Sequence, residues 1–149
     1  MPAPGTFALT TVPANRARCE GLQVIFGPRA GDGSAGRCQC QRVKTPGRAF
    51  YTASGMAGIA RRAADLREET QCGHPDAETT TGLVAYLAGE PVGWCAVQPR
   101  TAYQRLGWVP WSGRSEDNAD PGVWAVPCFV TRAGYRRLGI TYDLARAAV

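Results

Sequence analysis

Apolar positions recur at helical spacing from Ser54 onward, where Met56, Ile59, Ala60, Ala63, Leu66 and Thr70 share one face and arginines and acids occupy the other. That pattern predicts an amphipathic helix, with Gly73 available to stop it. Two apolar runs near 82–88 and 92–98 flank Gly89, Glu90 and Pro91, which predicts a hairpin turning at these three residues. A third run, 123–130, is apolar throughout and predicts a buried strand, with Pro127 placed where only a bulge or a sheet edge tolerates it. Residues 38–43 alternate small apolar and polar side chains with period two and are expected to form the first strand. Elsewhere the pattern is weaker. Residues 19–26 predict one or two helical turns, the glycine-rich 27–36 a loop, and 1–17 an extended tail. Thr101 is placed to cap a short helix over 101–106, and 107–122 reads as a long polar loop whose Trp108 and Trp111 either anchor it or shape a pocket.

Strands and helices interleaved in this way indicate an α/β (α+β) chain. At 149 residues it is long enough for one domain with a true core, expected over 18–149. Hydrophobic residues make up 44% and charged residues 19%, a globular balance, and no apolar run is long enough to span a bilayer. The N-terminus lacks a basic start and has two prolines in its first four residues, so no secretory signal is read there and a cytoplasmic location is expected. In that compartment the six cysteines, at 19, 38, 40, 72, 95 and 128, would be reduced thiols. The net charge of +5 comes from sixteen arginines and Lys44 against twelve acids. These basic residues are scattered rather than clustered, which argues against nucleic-acid binding but suits smaller anions.

The strongest candidate chemistry lies at the end of the chain. The strand 123–130 runs into a basic turn containing Gly134, Arg136, Arg137 and Gly139 and then into a helix. Such a junction directs free backbone N–H groups and the positive end of a helix dipole at one spot, where a pyrophosphate fits. The spacing Arg136-x-x-Gly139-x-Thr141 resembles the Arg/Gln-x-x-Gly-x-Gly/Ala signature of the GNAT superfamily of acetyl-CoA-dependent N-acetyltransferases, with Thr141 departing from it at the last position. Residues 81–97, which return from the turn as Val92-Gly93-Trp94, are similar to the hairpin of that superfamily. The resemblance covers residues 82–149.

That resemblance implies a mixed, mostly antiparallel sheet flanked by helices, without the superfamily's C-terminal strands and helix. Acetyl-CoA is the implied acyl donor and an unidentified amine the acceptor. The pantetheine arm would pair with backbone at Phe129 and Val130. The pyrophosphate would lie against N–H groups of Arg137, Leu138, Gly139, Ile140 and Thr141, with Arg136 supplying charge. The superfamily's usual proton donor is a tyrosine after a fifth strand, and the sequence stops at Val149 within the cofactor helix, so no catalytic residue is assigned and at most weak turnover is expected. A strand 123–130 without its neighbour is expected to pair with a second copy. Two other classes remain open: a catalytically silent partner-binding protein, and a small module holding zinc through Cys38, Cys40, Cys72 and His74. The spacing of those four differs from common zinc modules, and no metal ligand is assigned.

Overall fold

A computed structural model describes residues 8–27, 33–45, 48, 55–106 and 120–149. Four strands, β1 (Leu9–Pro13), β2 (Leu83–Leu87), β3 (Glu90–Pro99) and β4 (Trp124–Thr131), form one sheet in sequence order with every pairing antiparallel. The expected mixed sheet is therefore corrected to an antiparallel one among the described residues. Four helices accompany it there: α1 (Cys19–Phe26), α2 (Gly33–Cys38), α3 (Met56–Thr70) and α4 (Ile140–Ala147).

The strand alternation sorts side chains between two cores. Val84, Trp94 and Ala96 face α1 and α3, joined by Leu22, Ile25, Phe26 and Leu66. Ala85, Val92 and Cys95 face the opposite side, where Ile140 and Leu144 of α4 cover them. Burying each of those last two side chains contributes about 1.5–3 kcal/mol, which is what holds so short a helix in place. Gly93 makes the close approach possible: a Cβ there would sit 2.5 Å from Ile140 Cγ2 and 3.1 Å from Leu144 Cδ1.

Several expectations shift in register. The hairpin turns at Ala88 and Gly89, both at positive φ (51° and 81°), between the paired residues Leu87 and Glu90. Two positive φ angles are what the favoured two-residue hairpin turn requires. Glu90 and Pro91 thus belong to β3 rather than to the turn, and β3 accommodates Pro91 through an extra residue at Val92. In α3 the buried stripe is Ile59, Arg62, Leu66 and Thr70, while Met56 and Ala60 are exposed. Arg62 is tolerated in that stripe because its Nε donates to the Arg37 carbonyl at 2.7 Å. Gln71, in the left-handed region, ends α3 before Gly73 is reached.

Four expectations fail. Residues 33–36 of the expected loop 27–36 belong to α2, whose Gly36 and Arg37 carbonyls are held by the side chains of Gln39 and Arg62, bonds that offset the low helix propensity of glycine. Residues 9–13 of the expected tail are β1, paired from Leu9 with Leu87 to Pro13 with Leu83, and the β-branched Thr10, Thr11 and Val12 suit that role. Residues 38–43 are not a strand. Cys38 ends α2, Gln39 and Cys40 take positive φ, and the Gln41 N–H closes a turn on the Cys38 carbonyl at 2.9 Å. The period-two pattern misleads because Gln39 and Gln41 are as buried as their neighbours: Gln39 donates to the Gly36 carbonyl and accepts from Gln23 Nε2, while Gln41 Nε2 donates to Glu69. Finally, Thr101 lies inside a 3-10 turn, Arg100–Ala102, and makes no cap. Trp108, Trp111 and most of the loop 107–122 lie outside the described residues.

Candidate functional site

The site begins with β4. It is the last strand of the sheet, and among the described residues no strand pairs its outer side. Opposite Val97 it carries an extra residue: Ala96 pairs with Cys128 and Gln98 with Ala125, so Val126 and Pro127 together face a single position of β3. Pro127 therefore lies both at a bulge and on an edge strand, the two settings in which its missing N–H leaves no ladder bond unmade. The buried strand expected over 123–130 is corrected: as the last strand of the sheet β4 has no fully buried residue, Phe129 projecting to the α4 side with 39% of its surface exposed and Trp124 being 63% exposed. Val130 packs half-buried against the α1 side of the sheet.

Past Thr131 the chain is fixed by Arg132. Its N–H donates to the Val92 carbonyl at 2.9 Å, its guanidinium reaches Glu90 Oε2 at 3.1 Å and the Pro91 carbonyl at 3.3 Å, and it lies 5.3 Å from the centre of the Tyr135 ring. The exposed ion pair alone contributes little. The contacts together pin the start of the turn to the β2–β3 hairpin, and Gly93 pins its end by seating α4. Sequence inspection assigned no role to Arg132 or to a packing contact at Gly93.

Between these anchors, Arg137 at φ 65° and Gly139 at φ 79° turn the backbone through the left-handed region into α4. Arg136, Arg137 and Leu138 are exposed, Gly139 is half-buried, Ile140 is buried and Thr141 is exposed. No side chain caps α4. The Tyr142 and Asp143 N–H groups close on the Gly139 carbonyl, whereas those of Arg137, Leu138, Gly139, Ile140 and Thr141 meet no acceptor among the described residues. Five consecutive N–H groups thus lack an acceptor among the described residues at the positive end of a helix, next in sequence to two arginines. A Cβ on Gly139 would meet nothing within 4 Å, so space above the turn is open. One acid lies close in sequence: Asp143, in the first turn of α4, with its carboxylate held by Arg146 at 3.0 Å.

The cysteines are arranged differently from expectation. Cys19, the first residue of α1, and Cys72, just past α3, form a disulfide with Cα atoms 5.2 Å apart. This corrects the picture of six reduced thiols; a pairing across 53 residues depends on how α1 and α3 pack and has no local signature. It also removes Cys72 from any zinc set, and His74 is exposed. Among the described residues no group of three or more His, Cys, Asp or Glu is placed to hold a metal ion. Cys95 is buried, which pushes its thiol up to about 11. Cys40 and Cys128 meet instead, Sγ to Sγ at 2.8 Å, and the buried Trp94 Nε1–H donates to Cys40 Sγ at 3.0 Å.

A cavity of about 600 Å³ lies between α1 and α3, bordered by Cys19, Gln23, Ala60, Ala63 and Arg67. It is on the side of the sheet that carries α1 and α3, opposite the side that α4 covers. None of the buried side-chain atoms lacking a partner belongs to a residue lining it. Its lining carries one acid, Glu20, and one base, Arg67, so it has no net positive charge to draw an anion.

No helix among the described residues is long and apolar enough to cross a membrane. Compared with known proteins, the chain matches no family model, no curated protein and no solved structure.

Proposed function

We propose that this chain is a GNAT-like N-acyltransferase that binds acetyl-CoA along the outer edge of β4 and in the turn 132–139. The observation that carries the proposal is the run of five N–H donors, Arg137 to Thr141, without an acceptor among the described residues at the uncapped start of α4, reached directly from a strand whose outer side no described strand pairs. A pyrophosphate offers acceptors matching those donors, and Arg136 and Arg137 add charge-assisted contacts. The amides of a pantetheine arm are suited to the unpaired backbone of β4 in the manner of an added strand. The bulge at Val126 and Pro127 bends that strand and is the natural place for the thioester to leave the sheet.

With the thioester so placed, a neutral amine attacks its carbonyl carbon, the tetrahedral intermediate collapses, and the departing thiolate takes a proton. No described side chain is assigned to either proton transfer. Calorimetric titration with acetyl-CoA tests the binding step, expected to be saturable with one site per chain. Dephosphorylated pantetheine should bind much more weakly, because it lacks the pyrophosphate. Equal affinity for the two would remove the turn from the proposal. Release of free CoA thiol across a panel of amines tests the chemical step.

A second copy of the chain competes for the same edge. Exposed Trp124 and Phe129 on a strand whose outer side no described strand pairs favour edge-to-edge association. If both occupants use β4, acetyl-CoA shifts the chain toward monomer, and light scattering with and without it reads that shift. Ligand-insensitive dimers would show that the two use different surfaces.

A further inference from the structure

Two thiols that the acyl-transfer chemistry does not use are nevertheless arranged to react with each other. Cys40 lies in the positive-φ turn after α2, Cys128 on β4, and 88 residues separate them. Their sulfurs are 2.8 Å apart, about 0.8 Å more than the length of a disulfide bond. Cys40 is 5% exposed, whereas Cys128 is only partly buried, so a small solute reaches Cys128 first. The indole N–H of Trp94 is fixed on the Cys40 sulfur at 3.0 Å by a ring that is itself 1% exposed. The chain already carries one disulfide, Cys19–Cys72, at a separate place in the fold.

We propose that Cys128 and Cys40 are a peroxide-oxidisable dithiol, in which Cys128 is the attacking thiolate and Cys40 resolves it to a reversible disulfide. Cys128 sulfur attacks one peroxide oxygen, forming an S–O bond as the O–O bond breaks. The hydroxide released takes a proton and leaves as water. Cys128 is then a sulfenic acid. Cys40 sulfur attacks Cys128 sulfur, the S–S bond forms, the S–O bond breaks, and the second hydroxide departs as water with the Cys40 proton. Two thiols are oxidised and one peroxide is reduced to two waters.

The surroundings divide the roles. The Cys40 S–H donates to Cys128 sulfur and lowers the Cys128 thiol, outweighing its partial burial. The same hydrogen bond, together with burial, raises Cys40, so Cys128 loses its proton before Cys40 does. Once Cys128 is neutral sulfenic acid, that restraint ends, and the Trp94 N–H remains to stabilise negative charge on Cys40. Tyr103, buried with its hydroxyl unpartnered among the described residues, is raised by burial and by the neighbouring Cys40, so it stays a neutral phenol.

The test uses the unaltered chain treated with hydrogen peroxide, then alkylated, digested without reductant and analysed by mass spectrometry. The expected product is a Cys40–Cys128 linked peptide pair lighter by two hydrogens, restored to two thiols by dithiothreitol, with Cys38 and Cys95 alkylated as free thiols. In Cys40→Ser, dimedone should trap sulfenic acid on Cys128. In Cys128→Ser, Cys40 should remain a thiol. The proposal is overturned if both thiols survive peroxide that is sufficient to oxidise a free small-molecule thiol, if they oxidise without becoming linked, or if dimedone marks Cys40 in Cys128→Ser.

Discussion

Replacing Gly93 by alanine probes the contact on which the geometry of the β4–α4 junction depends. The added methyl would sit 2.5 Å from Ile140 Cγ2 and 3.1 Å from Leu144 Cδ1, whereas carbon atoms are most comfortable at about 3.5–4.0 Å. Neither neighbour is free to swing aside, since Ile140 is 2% exposed and Leu144 is fully buried. The helix must therefore retreat by roughly 1 Å to reach that range. Overpacking of this kind costs about 1–3 kcal/mol, and the lower chain entropy of alanine in the unfolded state returns about 0.4–1 kcal/mol. The net loss should be about 1–2 kcal/mol, or about 2–8 °C in melting temperature for a chain of this size. Urea unfolding should show a lower midpoint at an unchanged slope. The decisive comparison places the same substitution in an Ile140→Ala background, which removes the obstructing methyl. There Gly93→Ala should cost much less or become neutral, giving a coupling energy of about 1 kcal/mol between the two sites. If Gly93→Ala costs nothing in the native background, or the same amount in both, α4 is not seated on the sheet through Gly93.

Removing the Cys19–Cys72 bond by reduction or by Cys72→Ala should lower stability by about 4 kcal/mol, the chain-entropy value for a closed loop of 53 residues, and melting temperature by about 8–16 °C. An unchanged melt under reductant would mean that the bond does not constrain the chain. Gly139→Val forces a β-branched residue to φ 79° and narrows the turn, so acetyl-CoA affinity should fall at least about tenfold by calorimetry. Near pH 8 iodoacetamide should label Cys128 before Cys95, because the thiolate is the nucleophile: the Cys40 hydrogen bond lowers Cys128, while burial lifts Cys95 to about 11. Peptide mapping over time reads the order, and Cys95 reacting first would contradict it. Phe129→Lys places a charge on the β4 edge strand and should shift any dimer seen by light scattering toward monomer.

Much of the fold was legible where a local pattern fixes the type of element, although the apolar run of β4 is not a buried one. The helix at Met56–Thr70 follows from its apolar spacing, the β2–β3 hairpin from two apolar runs around a turn, and β4 from an apolar run whose proline marks the bulge. The errors share a physical cause. In residues 38–43, buried glutamines carry hydrogen bonds that make polar positions as interior as apolar ones, and a periodicity argument assumes the opposite. Residues 9–13 are short and half-exposed, so β1 is defined by its partner β2 more than by its own pattern. At the candidate site, the turn Arg136–Thr141 was visible because glycine and arginine sit close together in sequence. Arg132's bonds to Val92, Glu90 and Pro91, and the Gly93–Ile140 contact, join residues about forty or more positions apart and leave no trace in spacing. The same holds for both cysteine pairs.

The central claim, that the turn before α4 is an anion cradle for acetyl-CoA, is tested most directly at the five backbone donors themselves. Amide resonances of a uniformly labelled chain should be followed as acetyl-CoA is added. The account predicts saturable shifts that are largest at Arg137, Leu138, Gly139, Ile140 and Thr141, with smaller ones along the outer edge of β4 and little change at Cys19, Gln23, Ala60 and Arg67 around the α1–α3 cavity. Shifts confined to that cavity, or no shifts at millimolar acetyl-CoA, would contradict it.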